Sequence, residues 1–342
     1  MLEIDGSQGE GGGQVLRSSL ALSMAMGVPF RLFNVRAGRE KPGLMRQHLT
    51  ALLAAAEISR AKVSGAAVGS TVVVFEPGTV RPGEYHFPIG TAGSTMLVLQ
   101  AILPALLAAD GPSRVVVEGG THARWAPPFE FFAHALAPLL DRLGHRVSAS
   151  ILRYGFYPAG GGLIEIVVTP ATSVKALQLH ERGELRTAYG RAVVSKLPWK
   201  IGQRELHEVE RRLGWPFDPD SVIEVKSAIS PGNALSLVVE SEHVTEVFCA
   251  LGEQGRSSEL VANEAIEQVR TYYSHTAPVG IYMADQLMVP LAIAALRGAG
   301  GSSFTTLPPS RHALTNSEIV GQFLGRRPVF EKLDRAWRWS VE

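Results

Sequence analysis

Apolar residues recur at helical spacing in three well-separated places. Residues 16–26, 94–103 and 284–293 each predict a helix. Each lies near a glycine suited to stopping it: Gly27, Gly111 and Gly298. In each case a strand follows, then a Gly/Pro-rich turn (36–43, 118–128 and 307–315), a second helix and a further strand. The second helices are expected to begin near Leu44, Pro128 and Asn316, and the closing strands cover 72–75, 163–169 and 337–341. One order of parts used three times argues for a repeated unit, although order alone also fits ordinary helix–strand alternation.

Spacing adds to this. The first two units are offset by about 80 residues, and the second and third by about 190. Roughly 100 residues are therefore inserted in the third unit, the size of a small domain. The insert is expected at 183–276, with strands at 191–195, 235–241 and 244–251 and helices at 200–213 and 257–273. Residues 1–182 and 277–342 then form a three-unit body. The fold class expected is α/β (α+β).

Composition narrows the function classes. The 342 residues are 46% hydrophobic and 19% charged, enough apolar material for a large core. A net charge of +1 gives no global pull on nucleic acid, so contact with a polyanion must come from a local cluster. The single cysteine, Cys249, excludes an internal disulfide and a cysteine-rich zinc site. The first residues, with Glu3 and Asp5, lack the basic-then-apolar run of a secretory signal. The longest apolar stretch, 95–109, holds Gln100 and Pro104 and falls short of the roughly 18 residues a membrane span needs. A cytoplasmic protein with no membrane contact is expected.

Candidate chemistry is concentrated in three stretches. The tract 9–14 reads Gly-Glu-Gly-Gly-Gly-Gln and runs directly into the first helix. Such a loop suits a phosphate at a helix N-terminus with a metal-capable carboxylate, Glu10, inside it; a flexible turn is the plain alternative. No Gly-Lys-Ser/Thr closes it into a P-loop. Arg36, Arg39, Lys41, Arg46 and His48 fall together around Pro42-Gly43, as a phosphate site or as a solvated basic loop. His312 follows Pro308-Pro309, with Thr315 or Asn316 as candidate cap of a helix over 317–324. It is expected on a stiff turn before that helix. One of ten histidines, it is open to structural, basic, ligating or nucleophilic roles. His-Glu-x-x-His and Gly-x-Ser-x-Gly motifs are both absent.

Together, the stretches 6–14, 36–39, 41–43, 46–48, 155–162 and 312–316 closely resemble the RNA 3'-terminal phosphate cyclases. The resemblance runs from about residue 3 to the C-terminus and is weakest in the insert. It implies a body of three βαβαββ-like repeats with an inserted smaller α/β domain, related to enolpyruvyl transferases and to the C-terminal domain of translation initiation factor three. It implies ATP-dependent closure of an RNA 3'-phosphate end to a 2',3'-cyclic phosphodiester. In that scheme His312 takes AMP covalently, the RNA 3'-phosphate receives it, and the 2'-OH then expels it. Glu10 would hold Mg²⁺ or Mn²⁺. Arg17, Arg36, Arg39 and Gln47 would bind phosphates. Gln100 with Tyr282, Met283, Ala284, Asp285 and Gln286 would bind ATP, although Asp285 and Gln286 also read as a plain helix start. Pro127 and Pro128 would flank the adenine. Arg311 departs from the family's small residue or cysteine, and such a cation could depress the His312 pKa or grip a phosphate. Enolpyruvyl transfer needs no covalent histidine nucleotide, and the noncatalytic ribosome-assembly relatives lack the histidine. Exposed strand edges would allow a homodimer.

Overall fold

The computed structural model describes all 342 residues. Its first unit runs through β1 (Leu2–Asp5), α1 (Gly13–Met26), β2 (Phe30–Phe33), α2 (Arg46–Ser59), β3 (Lys62–Ser64) and β4 (Val73–Glu76). The second runs through β5 (Glu84–Pro88), α3 (Thr95–Leu107), β6 (Ser113–Gly119) and α4 (Phe129–Phe131). A π-turn at Phe132–Leu136 leads on into α5 (Ala137–Arg142), β7 (Arg146–Arg153) and β8 (Gly162–Thr169). The third opens with β9 (Gln178–Leu179) and is interrupted by β10 (Leu185–Ser195), α6 (Lys200–Leu213), β11 (Val222–Val225), β12 (Gly232–Ser241), β13 (Thr245–Leu251) and α7 (Ser258–Tyr273). It resumes with α8 (Ile281–Ala294), β14 (Ser302–Thr306), α9 (Arg311–Leu324), β15 (Val329–Lys332) and β16 (Trp337–Val341).

The three units share one sheet topology. Their strand orders are β1-β2-β4-β3, β5-β6-β8-β7 and β9-β14-β16-β15. In each, the first two strands are parallel and joined by a helix, and the last two are added antiparallel. The interrupting segment forms a fourth sheet, β11-β10-β12-β13, with α6 and α7 packed on it. This is the mixed α/β class expected. The opening strands β1, β5 and β9 are short and went unread in the pattern, which registered each unit only from its first helix.

Why these segments fold so follows from their residues. On α1, Leu16, Leu20 and Met24 fall on one buried stripe, and Gly27 ends the helix in the left-handed region at φ 68°. Every residue of α3 is buried except Gln100. One cluster of 64 buried residues runs through all three units, while a separate cluster of 19 sits chiefly in the fourth sheet and its helices, so the body closes around a single core. Within the body α1 packs on α3 and α9, and α8 on α9. Two polar ties fix the fourth sheet to it. The Arg182 guanidinium donates to the carbonyls of Tyr272, His275 and Ala277 (2.8 Å to Ala277), stapling the segment's entry to its exit. Buried Glu246 on β13 accepts from the Gly280 N–H at 2.6 Å, at the cap of α8.

Candidate active site

The glycine tract and α9 meet at the seam between the first unit and the third. Gly9 stands at φ 60°, and a Cβ on it would run into the Thr315 hydroxyl. The Glu10 N–H donates to that same hydroxyl at 3.0 Å. Gly12 caps α1 without a side chain, and a Cβ there would strike both the Glu10 carboxylate and the Arg39 guanidinium. Those two groups form an ion pair. The tract is thus a tight backbone cradle holding a carboxylate and a guanidinium at the start of a helix, where unpaired N–H groups suit an anion.

His312 lies inside α9, not on a turn before it. Ser310, directly after the two prolines, is the cap: its hydroxyl accepts from the Ala313 N–H at 3.1 Å. The Thr315 and Asn316 side chains, which resemble caps, join units instead. Thr315 meets Glu10, while Asn316 accepts from the Ser18 hydroxyl at 2.6 Å and donates to the Asp285 carbonyl at 2.6 Å. His312 Nδ1 stands 2.7 Å from Gln14 Oε1, and Gln14 Nε2 donates to Asp285 Oδ2 at 3.0 Å. Asp285 accepts only from an N–H, so it sets the Gln14 amide with its oxygen toward the imidazole. Nδ1 must then carry the proton, leaving Nε2 with the free lone pair. Nε2 is 3.9 Å from Glu10 Oε1 on a half-exposed ring.

Burial and nearby cations work against a charge on that ring. Burial depresses the His312 pKa, the nearby Asp285 carboxylate opposes the shift, and Arg17 and Arg39 add to it. The cations responsible are those two, not Arg311. Burial likewise pushes Asp285 up. Buried Arg17 is brought down to about 10 and remains charged, with its Nε donating to Gln100 Oε1 at 2.6 Å. His48 is held at about 3 by burial, then by Arg17 and Arg36.

The residues singled out from the sequence do not all reach one place. A cavity of about 340 Å³ is lined by Arg17, Gln100, Tyr282, Asp285, Gln286 and His312. Pro127 and Pro128 line it too. Met283 and Ala284 turn the other way, into the core, because the cavity sees only the 282/285/286 face of α8. Glu10 and Arg39 do not line the cavity; they pair with each other, with Glu10 Oε1 3.9 Å from His312 Nε2. Arg36 and Gln47 stand outside it. Arg36 donates to the Lys41 and Gly43 carbonyls at 2.7 and 2.8 Å, and Gln47 Oε1 accepts from the Ser94 N–H at the start of α3. No cluster of three or more His, Cys, Asp or Glu side chains that could hold a metal occurs. The far wall is one the sequence reading missed. It comes from β13 and α7 with their linker (Cys249, Glu253, Arg256, Glu264) and from the loop before α4 (His122, Arg124, Trp125). His122 is buried against Glu130 at 2.8 Å.

Comparisons with known proteins give a family. The family model described as RNA 3'-terminal phosphate cyclase matches residues 8–329. The chain is 47% identical over 336 residues to the RNA 3'-terminal phosphate cyclase of Salmonella agona (strain SL483), covering 98% of this chain and 95% of that one. The same figures hold for the cyclase of that name from Salmonella paratyphi C (strain RKS4594). A match running from the glycine tract through His312 and beyond takes in both halves of the seam, and the chain belongs to the RNA 3'-terminal phosphate cyclase family.

Proposed function

We propose that this chain converts the 3'-phosphate end of an RNA to a 2',3'-cyclic phosphodiester at the expense of ATP, with His312 as the nucleophile. The observation that carries the reading is the Asp285–Gln14–His312 chain of hydrogen bonds, which leaves Nε2 of the imidazole bare at the cavity. Nε2 attacks the α-phosphorus, a P–N bond forms, and the bond to the departing pyrophosphate breaks. An oxygen of the RNA 3'-phosphate then displaces the histidine, which regains its lone pair. Last, the 2'-OH attacks the activated phosphorus, gives up its proton and expels AMP. Adenylylation converts a phosphate with no good leaving group into one that carries AMP, and ring closure is intramolecular. Because the attacking group is a 2'-OH, the substrate is RNA.

Arg17 and Arg39 stand where phosphate charge would gather, as does the open N-terminus of α1. Arg36 and Gln47, outside the cavity, are placed to meet the outer phosphates or the RNA end. Glu10 would hold Mg²⁺ or Mn²⁺: it offers hard carboxylate oxygens beside a cradle that a Cβ would fill, and the remaining ligands would be phosphates and water. Bound there, such an ion would supply positive charge beside the phosphates. Tyr282, Asp285, Gln286 and Gln100, with Pro127 and Pro128, form the nucleotide pocket. Residues 1–182 and 277–342 act as the catalytic body, and 183–276 as a domain inserted into it. No helix is long and apolar enough to cross a membrane, and we assign the chain to the cytoplasm. The edges of β3, β7 and β15 give two copies a route to a homodimer.

Two measurements test the proposal. With α-labelled ATP and a divalent ion, the protein should acquire label through an acid-labile, alkali-stable bond, and His312→Ala should acquire none. Full labelling of that variant would assign the nucleophile elsewhere. An oligoribonucleotide with a 3'-phosphate should become phosphatase-resistant, which neither enolpyruvyl transfer nor an assembly role would cause.

A further inference from the structure

The loop between β6 and α4 holds its one tryptophan in an unusual way. Trp125 has φ 62°, a left-handed conformation that a bulky side chain adopts only under constraint. Ala126, Pro127 and Pro128 follow and stiffen the loop. The residue is 93% exposed, yet it lines the cavity that holds His312, so it stands at the mouth. The Arg124 guanidinium lies 5.9 Å from the ring centroid. A solvent-facing indole on a strained backbone contributes nothing to the core and needs another use.

The mouth's charges narrow that use. Arg124 is paired with Glu253, and Arg256 lies 4.0 Å from Glu253 and 2.5 Å from Glu264. Two guanidiniums and two carboxylates cancel, so this wall has no net charge with which to draw in a phosphate backbone. What it offers is an aromatic face. The cavity, at about 340 Å³, is at the small end of ligand pockets and has room for one mononucleotide. While AMP occupies it, the RNA end meets the half-exposed ring of His312 from outside the cavity, at whose mouth Trp125 stands.

Resting on the function proposed above, we infer that Trp125 is the platform on which the base of the RNA's 3'-terminal nucleotide stacks, holding the terminal phosphate toward His312. Every base has a π-face, so the platform accepts any terminal base. It acts on RNA alone, because its ring faces solvent at the rim of the cavity that the nucleotide fills.

The test uses the full chain, comparing Trp125→Ala and Trp125→Phe with the wild type. Self-adenylylation by labelled ATP without RNA should be unchanged in both. In cyclisation of a 3'-phosphorylated oligoribonucleotide, Trp125→Ala should raise the KM for RNA about tenfold with kcat little altered, and Trp125→Phe should recover most of it. An RNA whose terminal nucleotide is abasic should bind wild type and Trp125→Ala alike. A terminal 2-aminopurine should be quenched on binding wild type but not Trp125→Ala, a readout independent of turnover. Loss of self-adenylylation in Trp125→Ala would place the ring in the ATP pocket and overturn the inference. An unchanged KM, or a difference that persists with the abasic RNA, would do the same. A wild type that labels itself but never cyclises the RNA would instead defeat the functional reading, and quenching then reports on the platform alone.

Discussion

The amide of Gln14 decides which nitrogen of His312 is free to react. Its oxygen meets Nδ1 at 2.7 Å while its NH₂ is anchored by Asp285, so the imidazole has one tautomer available. On the proposed mechanism, as Nε2 takes on phosphorus the ring becomes cationic, and the Nδ1–H bond to Gln14 becomes charge-assisted. A bond of that kind is worth about 1.5–3 kcal/mol. Gln14→Leu should therefore slow self-adenylylation roughly 10- to 150-fold while leaving the fold intact, measured as the rate of label incorporation at saturating ATP. A variant labelled at the wild-type rate would remove Gln14 from this role. The residue was visible in the sequence as the last letter of the glycine tract, but not its duty: that depends on Asp285, 271 positions away. Arg17 was legible for a similar reason only in part. A charged residue on an apolar helix is conspicuous, and so is Gln100, but that the two bond each other across units is a fact of packing.

At the scale of elements, the helices were readable because apolar periodicity and glycine stops are local signals. Opening strands as short as Gln178–Leu179 carry too few residues for an alternating pattern, and β5 ends in a proline. The start of α9 was misplaced for a physical reason. Thr315 and Asn316 have cap chemistry, but they spend it on Glu10, Ser18 and Asp285, and Ser310 caps the helix. The seam they build makes a prediction about glycine. Gly27 and Gly9 both have left-handed φ, but a Cβ at Gly27 meets nothing within 4 Å, whereas at Gly9 it meets Thr315. Gly27→Ala should cost about 1–2 kcal/mol from backbone strain alone. Gly9→Ala should cost more and also reduce adenylylation, as read by urea denaturation and labelling of the two variants together. Equal losses of stability with full activity in both would show that the seam tolerates the methyl group.

For the whole molecule, the decisive question is how the fourth sheet is held to the body, since together they wall the cavity. Glu246 sits at that junction, bonded to the cap of the helix that carries Tyr282, Asp285 and Gln286. Burial pushes its carboxyl up to about 8 from 4.5, against the opposing pull of the Gly280 N–H and Arg182. The folded state therefore holds a proton that the unfolded chain releases above 4.5. The stability tied to that proton is complete below 4.5 and is lost as pH rises through about 8. Glu246→Gln keeps an oxygen for Gly280 and has no proton to lose, so its stability advantage over wild type should widen from pH 6 to pH 9. A pH-independent gap between the two denaturation midpoints would refute this. None of it was legible beforehand: the insert was expected from spacing, but which of its faces meets the body depends on contacts between residues far apart in the chain.

The seam between the glycine tract and α9 also has a consequence in time. Gln14 and His312 are 298 positions apart, so at about 5–20 residues per second synthesis delivers them tens of seconds apart. Through that interval the glycine tract has no His312 beside it. On the proposed mechanism, a chain released short of α9 would have no nucleophile to load with AMP. The seam thus closes only once α9 has been made, and on the proposed mechanism a copy without α9 would be inert.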